Sequence, residues 1–439
     1  MSDVFDVDRL TPTFTDWTEQ DYLDSDLRYC VPMTAHALET DEEQEAHLTS
    51  ETNYIEEKFD GVRCIMHIGA DLSRLFSRRI SKKTNWFTEN TDSLPHLKSV
   101  ALPEYAGTVI DGELFIDGKP FKEVSAIMNC KWDEAVRRQH KLYEEGGYVI
   151  TLHAFDILYY KGVRVERLPL YQRKHLLYDV WSTIIRECGT NLVDLVPYFP
   201  CGKGATCDIS STHYHAPDLT DGAVCVTPRE YYNLIVARGG EGVIIKDKNS
   251  KYVHKRDKAY LKIKKFYTRE VVIVGFNPPS KYYEGKFPND YWEYWEKPDG
   301  TLAYCPTGVS AKSLVKSNNK PVTKFHYKKW VGTIVFGVVI SDDEMKSLPK
   351  DKVFTFHNLT LPDGRYVRLL EVGETSGLDD EERERISHNT KDFIGKVIEV
   401  KCNEIFKDTG KLRHPRFLRY RDDKSVEDCT YHNHMTEGL

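Results

Sequence analysis

A chain of 439 residues, 40% hydrophobic and 12% aromatic, is long for one domain and rich enough in apolar side chains to exclude a disordered protein, so two folded domains are expected. The formal net charge of −7 excludes a chain that is basic throughout, although phosphate binding needs only local positive charge. No stretch approaches the roughly eighteen consecutive apolar residues of a membrane span. The acidic start Met1-Ser2-Asp3-Val4-Phe5-Asp6 lacks the basic-then-apolar layout of a signal peptide, so a cytoplasmic protein with no membrane partner is expected, in host cytoplasm if the source is viral.

In chain order, Thr40 and Glu43 have capping-box spacing and predict a short helix in the acidic run that opens at Asp41. From 54 to 68 the pattern predicts a strand, a turn at Asp60-Gly61 and a second strand in which Cys64, Met66 and Ile68 alternate with Arg63, Ile65 and His67. Further strands are predicted at 108–116, 148–158 and 242–246, and helices at 131–144, 170–187 and 228–238, the last stopping at Gly239-Gly240. Mixed strands and helices of this kind make an α+β domain.

A fresh strand at 270–276 opens a second domain. Strands at 331–340, 353–357, 366–372 and 396–402, with one helix at 378–389, suit a small β-barrel of the OB type. Between its first two strands lies a passage rich in Tyr, Trp, Pro and Lys, from Asn277 to Trp295, whose aromatics suit either packing or stacking on bases.

The ten cysteines contain no CxxC pair, and a chain of this size needs no disulfide staples, so reduced thiols are expected. Cys201, Cys207, His213 and His215 match none of the usual zinc spacings and are taken as an insertion loop. Three basic clusters stand out: Arg74, Arg78, Arg79, Lys82 and Lys83; Lys255, Arg256, Lys258, Lys262, Lys264 and Lys265; and Lys411, Arg413, Arg416, Arg419, Arg421 and Lys424. Each is either a solvated face or a phosphate contact.

Short motifs are set into this frame. Glu56-Glu57-Lys58-Phe59-Asp60-Gly61-Val62-Arg63 spells KxDGxR, and Val109-Ile110-Asp111-Gly112-Glu113-Leu114-Phe115 follows it. Glu241-Gly242-Val243-Ile244-Ile245-Lys246 and Tyr260-Leu261-Lys262-Ile263-Lys264 come next, and Arg421-Asp422-Asp423-Lys424 closes a stretch led by Leu412-Arg413-His414-Pro415-Arg416-Phe417. A lysine that attacks phosphorus needs its neutral amine, whereas an ordinary lysine, with a pKa of ~10.4, is almost wholly protonated at neutral pH. Neighbouring cations such as Lys262, Lys264 and a divalent metal ion disfavour a further charge and also neutralise phosphate.

In type and order these motifs resemble those of the covalent nucleotidyltransferases, the superfamily of DNA ligases, RNA ligases and mRNA capping enzymes. Pro32-Met33-Thr34-Ala35 resembles the entry to the catalytic domain of many ligases. The RxDK ending and its lead-in, with Gly118-Lys119-Pro120-Phe121 and Ala237-Arg238-Gly239-Gly240, are most similar to the compact phage-type ATP-dependent DNA ligases. The resemblance implies an N-terminal extension over 1–30, a nucleotidyltransferase (adenylation) domain over 31–267 and an OB-fold domain with an insertion over 268–439. The stretches at about 189–227 and about 277–325 are longer than a minimal ligase requires.

The resemblance also implies roles. Lys58 would carry AMP, Glu56 would read the adenine amino group, Arg63 would contact the sugar, Glu113 would bind the ribose and Phe155 would stack on the base. Arg78 would grip phosphate, and Glu241 with Glu113 would serve Mg²⁺, a hard cation suited to oxygen ligands. Lys262 and Lys264 would hold the phosphates, while Arg421, Asp423 and Lys424 would orient the leaving pyrophosphate. The implied cofactors are ATP and Mg²⁺, and the implied partner is nicked duplex DNA, bound by a monomer. An RNA ligase shares the motifs before the C-terminal RxDK, but RxDK on an OB domain fits DNA ligases better; a capping guanylyltransferase shares the lysine and the OB domain, but Glu56 and the RHPRF lead-in favour adenine and ligation. A NAD-dependent ligase would need a cysteine zinc module. A non-catalytic clamp for nicked DNA would not require Lys58, Glu113, Glu241, Lys262 and Lys264 together.

Overall fold

In a computed structural model of the chain, described at residues 5, 20, 31–81, 84, 86–189, 192–209, 225–287, 290–305, 309–361 and 363–436, the strands on either side of Asp60-Gly61 enter different sheets. The strand Asn53–Glu57 lies in a five-stranded sheet with the order Thr34–Ala37, Arg256–Lys264, Gly242–Asp247, Asn53–Glu57, Tyr198–Pro200. The strand Val62–Ile68 lies in a seven-stranded sheet, between Arg74–Ile80 and Thr108–Phe115, with Thr151–Tyr160 beyond. The crossing is tight. A Cβ on Gly61 would stand 2.1 Å from the Leu114 carbonyl oxygen, so only glycine fits there. The Lys58 N–H donates to the Gly242 carbonyl at 2.9 Å, which fixes the lysine where the chain leaves one sheet for the other.

Both sheets belong to the first of two compact units, Met1–Lys265 and Phe266–Leu439. The expected alternation along Val62–Ile68 is replaced by continuous burial from Cys64 to Ile68. Cys64, Met66 and Ile68 pack with Leu94, Leu177 and Ile184 on one face, while Ile65 packs with Met33, Leu158 and Tyr260 on the other. A strand covered on both faces loses its polar phase. Besides two unexpected helices, Pro95–Lys98 and Phe121–Met128, the expected helices fall at Asp41–Leu48, Trp132–Gly146, Leu170–Cys188 and Pro228–Ala237. The first carries the Thr40–Glu43 capping box, and the last ends before Gly239, whose φ of +89° suits glycine.

The second unit is a six-stranded antiparallel sheet ordered Phe356–Thr360, Tyr366–Thr375, Thr333–Val339, Tyr267–Asn277, Val397–Cys402, Arg416–Tyr420. Irregular registers at Ile273/Gly275, Phe336/Gly337 and Glu399/Val400 increase its coiling toward the expected OB type. Among the described residues its outer strands do not pair with each other, which leaves a half-barrel. The helix Asp380–His388 is pinned by buried Arg383, which donates to the carbonyls of Val331 at 2.7 Å and Gly332 at 2.6 Å. Short helices at Ala311–Lys316, Lys324–Lys328, Asp342–Ser347 and Tyr431–Thr436 join the single one expected, and two strands of this sheet differ from expectation. The strand expected at 353–357 runs from Phe356 to Thr360, and the basic lead-in forms an unpredicted edge strand, Arg416–Tyr420, because edge strands carry charge that hides the apolar alternation.

The aromatic passage forms a small three-stranded sheet of Tyr294–Glu296, Leu302–Tyr304 and Lys320–Pro321. Trp295 is wholly buried, and Tyr283 stacks on Trp292 with ring centroids 3.7 Å apart, so these rings pack on one another. Among the described residues no helix is long and apolar enough to cross a membrane.

Candidate active site

Lys58 follows the strand Asn53–Glu57, and its neighbour in that sheet, Gly242–Asp247, begins one residue after Glu241. Antiparallel pairing of Gly242 with Lys264 and of Ile244 with Lys262 brings the motifs at 241–246 and 260–264 side by side. Lys262 and Lys264, two residues apart, share one face of their strand, while Leu261 and Ile263 are buried on the other. Glu241 thereby forms ion pairs with Lys58 through one carboxylate oxygen and with Lys264 through the other. All three side chains are between 16% and 21% exposed, open enough for a ligand to reach.

Charges converge on this point. Burial lowers the Lys262 ammonium, and the nearby ammonium groups of Lys264 and Lys58 lower it further. Burial pushes the Glu113 carboxyl up to about 7 against the opposing pull of Arg63 and Lys58, while Glu241 and Asp111 repel its charge. Glu113 and Arg63 face each other across the pair of strands Thr108–Phe115 and Val62–Ile68.

Arg63 sits in a fixed cradle. Its Nε and Nη2 each donate to Asp111 at 2.6 Å, Nη2 also reaches the Met33 carbonyl at 3.2 Å, and the guanidinium lies 4.5 Å from the Phe155 ring centroid. Asp111 is wholly buried and also accepts from the Tyr252 hydroxyl at 2.6 Å. Phe155 has a second cation, Lys246 Nζ, 4.6 Å from its ring centroid. The same amine donates to Glu56 Oε2 at 2.6 Å, and Lys174 Nζ stands 2.6 Å from Glu56 Oε1.

The expected residues therefore fall into groups. Lys58, Lys262, Lys264, Glu113 and Glu241 come together, and Arg63, Phe155 and Glu56 join them through Glu113 and Lys246. Arg78 is exposed one residue beyond the Cys64–Ser77 pair and makes none of the contacts described for this cluster. Arg421, Asp423 and Lys424 lie in the second unit. There Arg421 donates to both oxygens of Asp423 at 2.8 Å and pairs with Glu270, whose other oxygen is 3.7 Å from Lys424. The Arg421 guanidinium holds the Asp423 carboxyl well below the usual carboxylate range.

Sequence reasoning assigned no role to Asp111, Tyr252, Lys174 or Lys246. A signal for Lys174 was present: with Arg173 it falls on the apolar stripe Leu170, Leu177, Ile184 of its helix, where a charged side chain must have a buried partner. Among the described residues no group of three or more His, Cys, Asp or Glu side chains is placed to hold a metal ion. Cys201 and Cys207 pack in an apolar cluster with Phe199 and Tyr231, and burial pushes both thiols up to about 12, unfavourable for a thiolate ligand. His213 and His215 lie outside the described residues, as do Lys82 and Lys83.

A family model described as the ATP dependent DNA ligase domain matches residues 32–264. The chain is 26% identical over 390 residues to DNA ligase 2 of Methanosarcina acetivorans, a match spanning 85% of this chain and 53% of that protein. It is 27% identical over 395 residues to a DNA ligase of Archaeoglobus fulgidus, spanning 86% of this chain and 53% of that one. Against a prophage-derived DNA ligase-like protein of Bacillus subtilis the identity is 26% over 284 residues, spanning 64% and 80%. The chain spans about half the length of its archaeal relatives. Among solved structures, it is similar to the ATP-dependent DNA ligase from bacteriophage T7 in complex with ATP, at 14% identity and a TM-score of 0.39 over 89% of this chain and 98% of that one.

Proposed function

The chain belongs to the ATP-dependent DNA ligase family, and from that premise we propose that it seals nicks in duplex DNA through a covalent lysyl-AMP intermediate on Lys58. The observation that carries this reading is the Glu241 carboxylate held between Lys58 and Lys264, beside Lys262 and Glu113. Such a group can carry a nucleophilic amine and neutralise phosphate in one place.

In the first step the Lys58 amine attacks the α-phosphorus of ATP. A P–N bond forms, the α–β anhydride bond breaks and pyrophosphate leaves, with Lys262 and Lys264 offsetting charge that develops on the phosphoryl oxygens. The 5′-phosphate at the nick then displaces Lys58 from AMP, and the 3′-hydroxyl displaces AMP as the phosphodiester bond closes. Phe155 offers a face for the base, Glu113 a carboxylate for the ribose and Arg63, steadied by Asp111, an oriented guanidinium for the sugar. Arg78 is assigned to phosphate of the bound DNA, and Arg421, Asp423 and Lys424 to the leaving pyrophosphate.

Two carboxylates, Glu241 and Glu113, suit Mg²⁺, which keeps most of its water and binds substrate phosphate, and when bound it would supply positive charge at the α-phosphate. The protein acts as a cytoplasmic monomer in this reading. It is tested by transfer of label from α-labelled ATP, GTP or NAD to wild type and Lys58→Ala on a denaturing gel, chased with nicked DNA. Label from ATP alone, absent in the variant and discharged as the nick seals, supports the proposal. Label from GTP moves the protein to the capping class, and failure to discharge on nicked DNA with discharge on nicked RNA makes it an RNA ligase. Nick binding without any adduct makes it a clamp.

A further inference from the structure

Glu56 is 1% exposed, and the two lysines that contact it are 1% and 3% exposed, so one carboxylate and two ammonium groups share a buried site. Burying charge is costly unless it is paired, and the surplus here is positive. The three side chains come from separate elements: Glu56 from Asn53–Glu57, Lys246 from Gly242–Asp247 and Lys174 from the helix Leu170–Cys188. The sheet register explains Lys246, because Ile244 pairs with Glu56 and Lys246 with Tyr54. Lys174 arrives from outside the sheet, and its amine also lies 4.7 Å from the Tyr198 ring centroid.

We infer that Lys174 is a positioning residue for base selection: it holds the Glu56 carboxylate in place as a group that only accepts hydrogen bonds, so the site takes a purine with an amine at C6 and refuses one with a carbonyl there. The inference rests on the nucleotide-binding reading above. An ionised carboxylate is acceptor-only, whereas a carboxylic acid would donate to a C6 carbonyl, and Glu56 is ion-paired with both lysines.

Three observations support it. First, Lys174 Nζ stands 2.6 Å from Glu56 Oε1 and Lys246 Nζ donates to Oε2 at 2.6 Å, so each carboxylate oxygen is held by its own ammonium group and the carboxylate is fixed in orientation. Second, Lys246 joins Glu56 to the Phe155 ring, placing the carboxylate beside the face expected to stack on the base. Third, Lys174 is rigidly mounted. Its neighbour Arg173 donates to both oxygens of Asp156 at 2.7 and 3.0 Å, and Asp156 follows Phe155 on its strand, so the stacking residue and the lysine share one anchor. Burial pushes the Lys174 ammonium down to about 8, with Glu56 opposing the shift and Lys246 adding to it, so it is largely charged at neutral pH.

The test measures formation of the covalent adduct from α-labelled ATP, GTP and purine riboside triphosphate, which carries nothing at C6. The proteins are the full-length wild type, Lys174→Met, Glu56→Gln and the double variant, each checked for folding by circular dichroism, with Lys174→Gln in place of Lys174→Met if that variant does not fold. Wild type should prefer ATP to the other two by about 100-fold or more, since a site built to hydrogen-bond a substrate group rejects analogues lacking it. Lys174→Met should narrow both ratios about tenfold or more, through KM for ATP with kcat nearly unchanged, and should add nothing further in the Glu56→Gln background. Unchanged ratios in Lys174→Met, or an equal narrowing with and without Glu56, overturn the inference while the ligase reading stands. Absence of any adduct in wild type overturns both.

Discussion

Glu241 lies between Lys58 and Lys264, giving one carboxylate oxygen to each amine. The proposed nucleophile and a lysine assigned to phosphate are thus held to one acid, which in that reading must release the Lys58 amine before it can attack. Glu241→Gln keeps the shape but removes the charge that orders both lysines. Adduct formation from ATP should fall by about 100-fold or more. The thermal midpoint should move little, because the three side chains are partly exposed; single-turnover labelling beside a melting curve checks both.

Glu113 has its carboxyl raised to about 7 from about 4.5, with burial as the main cause. Below about pH 4.5 the group is protonated whether folded or unfolded and has no effect on stability. As pH rises through the interval up to about 7, the unfolded chain ionises it more readily, so stability is lost there and the full cost is present above about 7. Relative to Glu113→Gln, wild type should lose stability between pH 5 and 7.5 in urea titrations, while adduct formation by wild type should rise across the same range as the carboxylate forms.

Arg173 and Asp156 form a wholly buried ion pair with two hydrogen bonds, and Arg173 also donates to the carbonyls of Leu168 at 2.6 Å and Ser250 at 2.9 Å. Burial works against the Asp156 charge, but Arg173 holds the carboxyl down to about 2. Removing one partner strands the other, so Arg173→Leu should cost about 3–5 kcal/mol, read as a lower urea midpoint at pH 7. The pair's pH-linked contribution is present above the ordinary aspartate range, near 4, and is lost as pH falls toward about 2.

Arg421 spends its guanidinium on Asp423 and Glu270. If it serves the departure of pyrophosphate, Arg421→Ala should cut adduct formation from ATP by about tenfold or more while sealing of a pre-adenylated nick stays close to wild type. An equal loss in both assays would give Arg421 a different role.

What the sequence by itself determined is local. Glycine at 61, the Thr40–Glu43 cap and the helix stop at Gly239 act over a few residues, through backbone sterics and nearby hydrogen bonds, so spacing alone exposes them. The motif residues Lys58, Glu113, Glu241, Lys262 and Lys264 were equally legible, because each stands in a short run whose residue types and order are distinctive. Only the tertiary structure decided their partners. That Lys58 and Arg63, five positions apart, leave for different sheets follows from pairings with Gly242–Asp247 and Thr108–Phe115, which no local propensity encodes. In a linear reading neither Lys174, on the apolar stripe of its helix, nor Lys246, at the end of a short motif, reveals its partner. They become buried partners of Glu56 because sheet register and helix docking bring distant segments together, and the penalty for burying any one of these charges alone requires the others to be present.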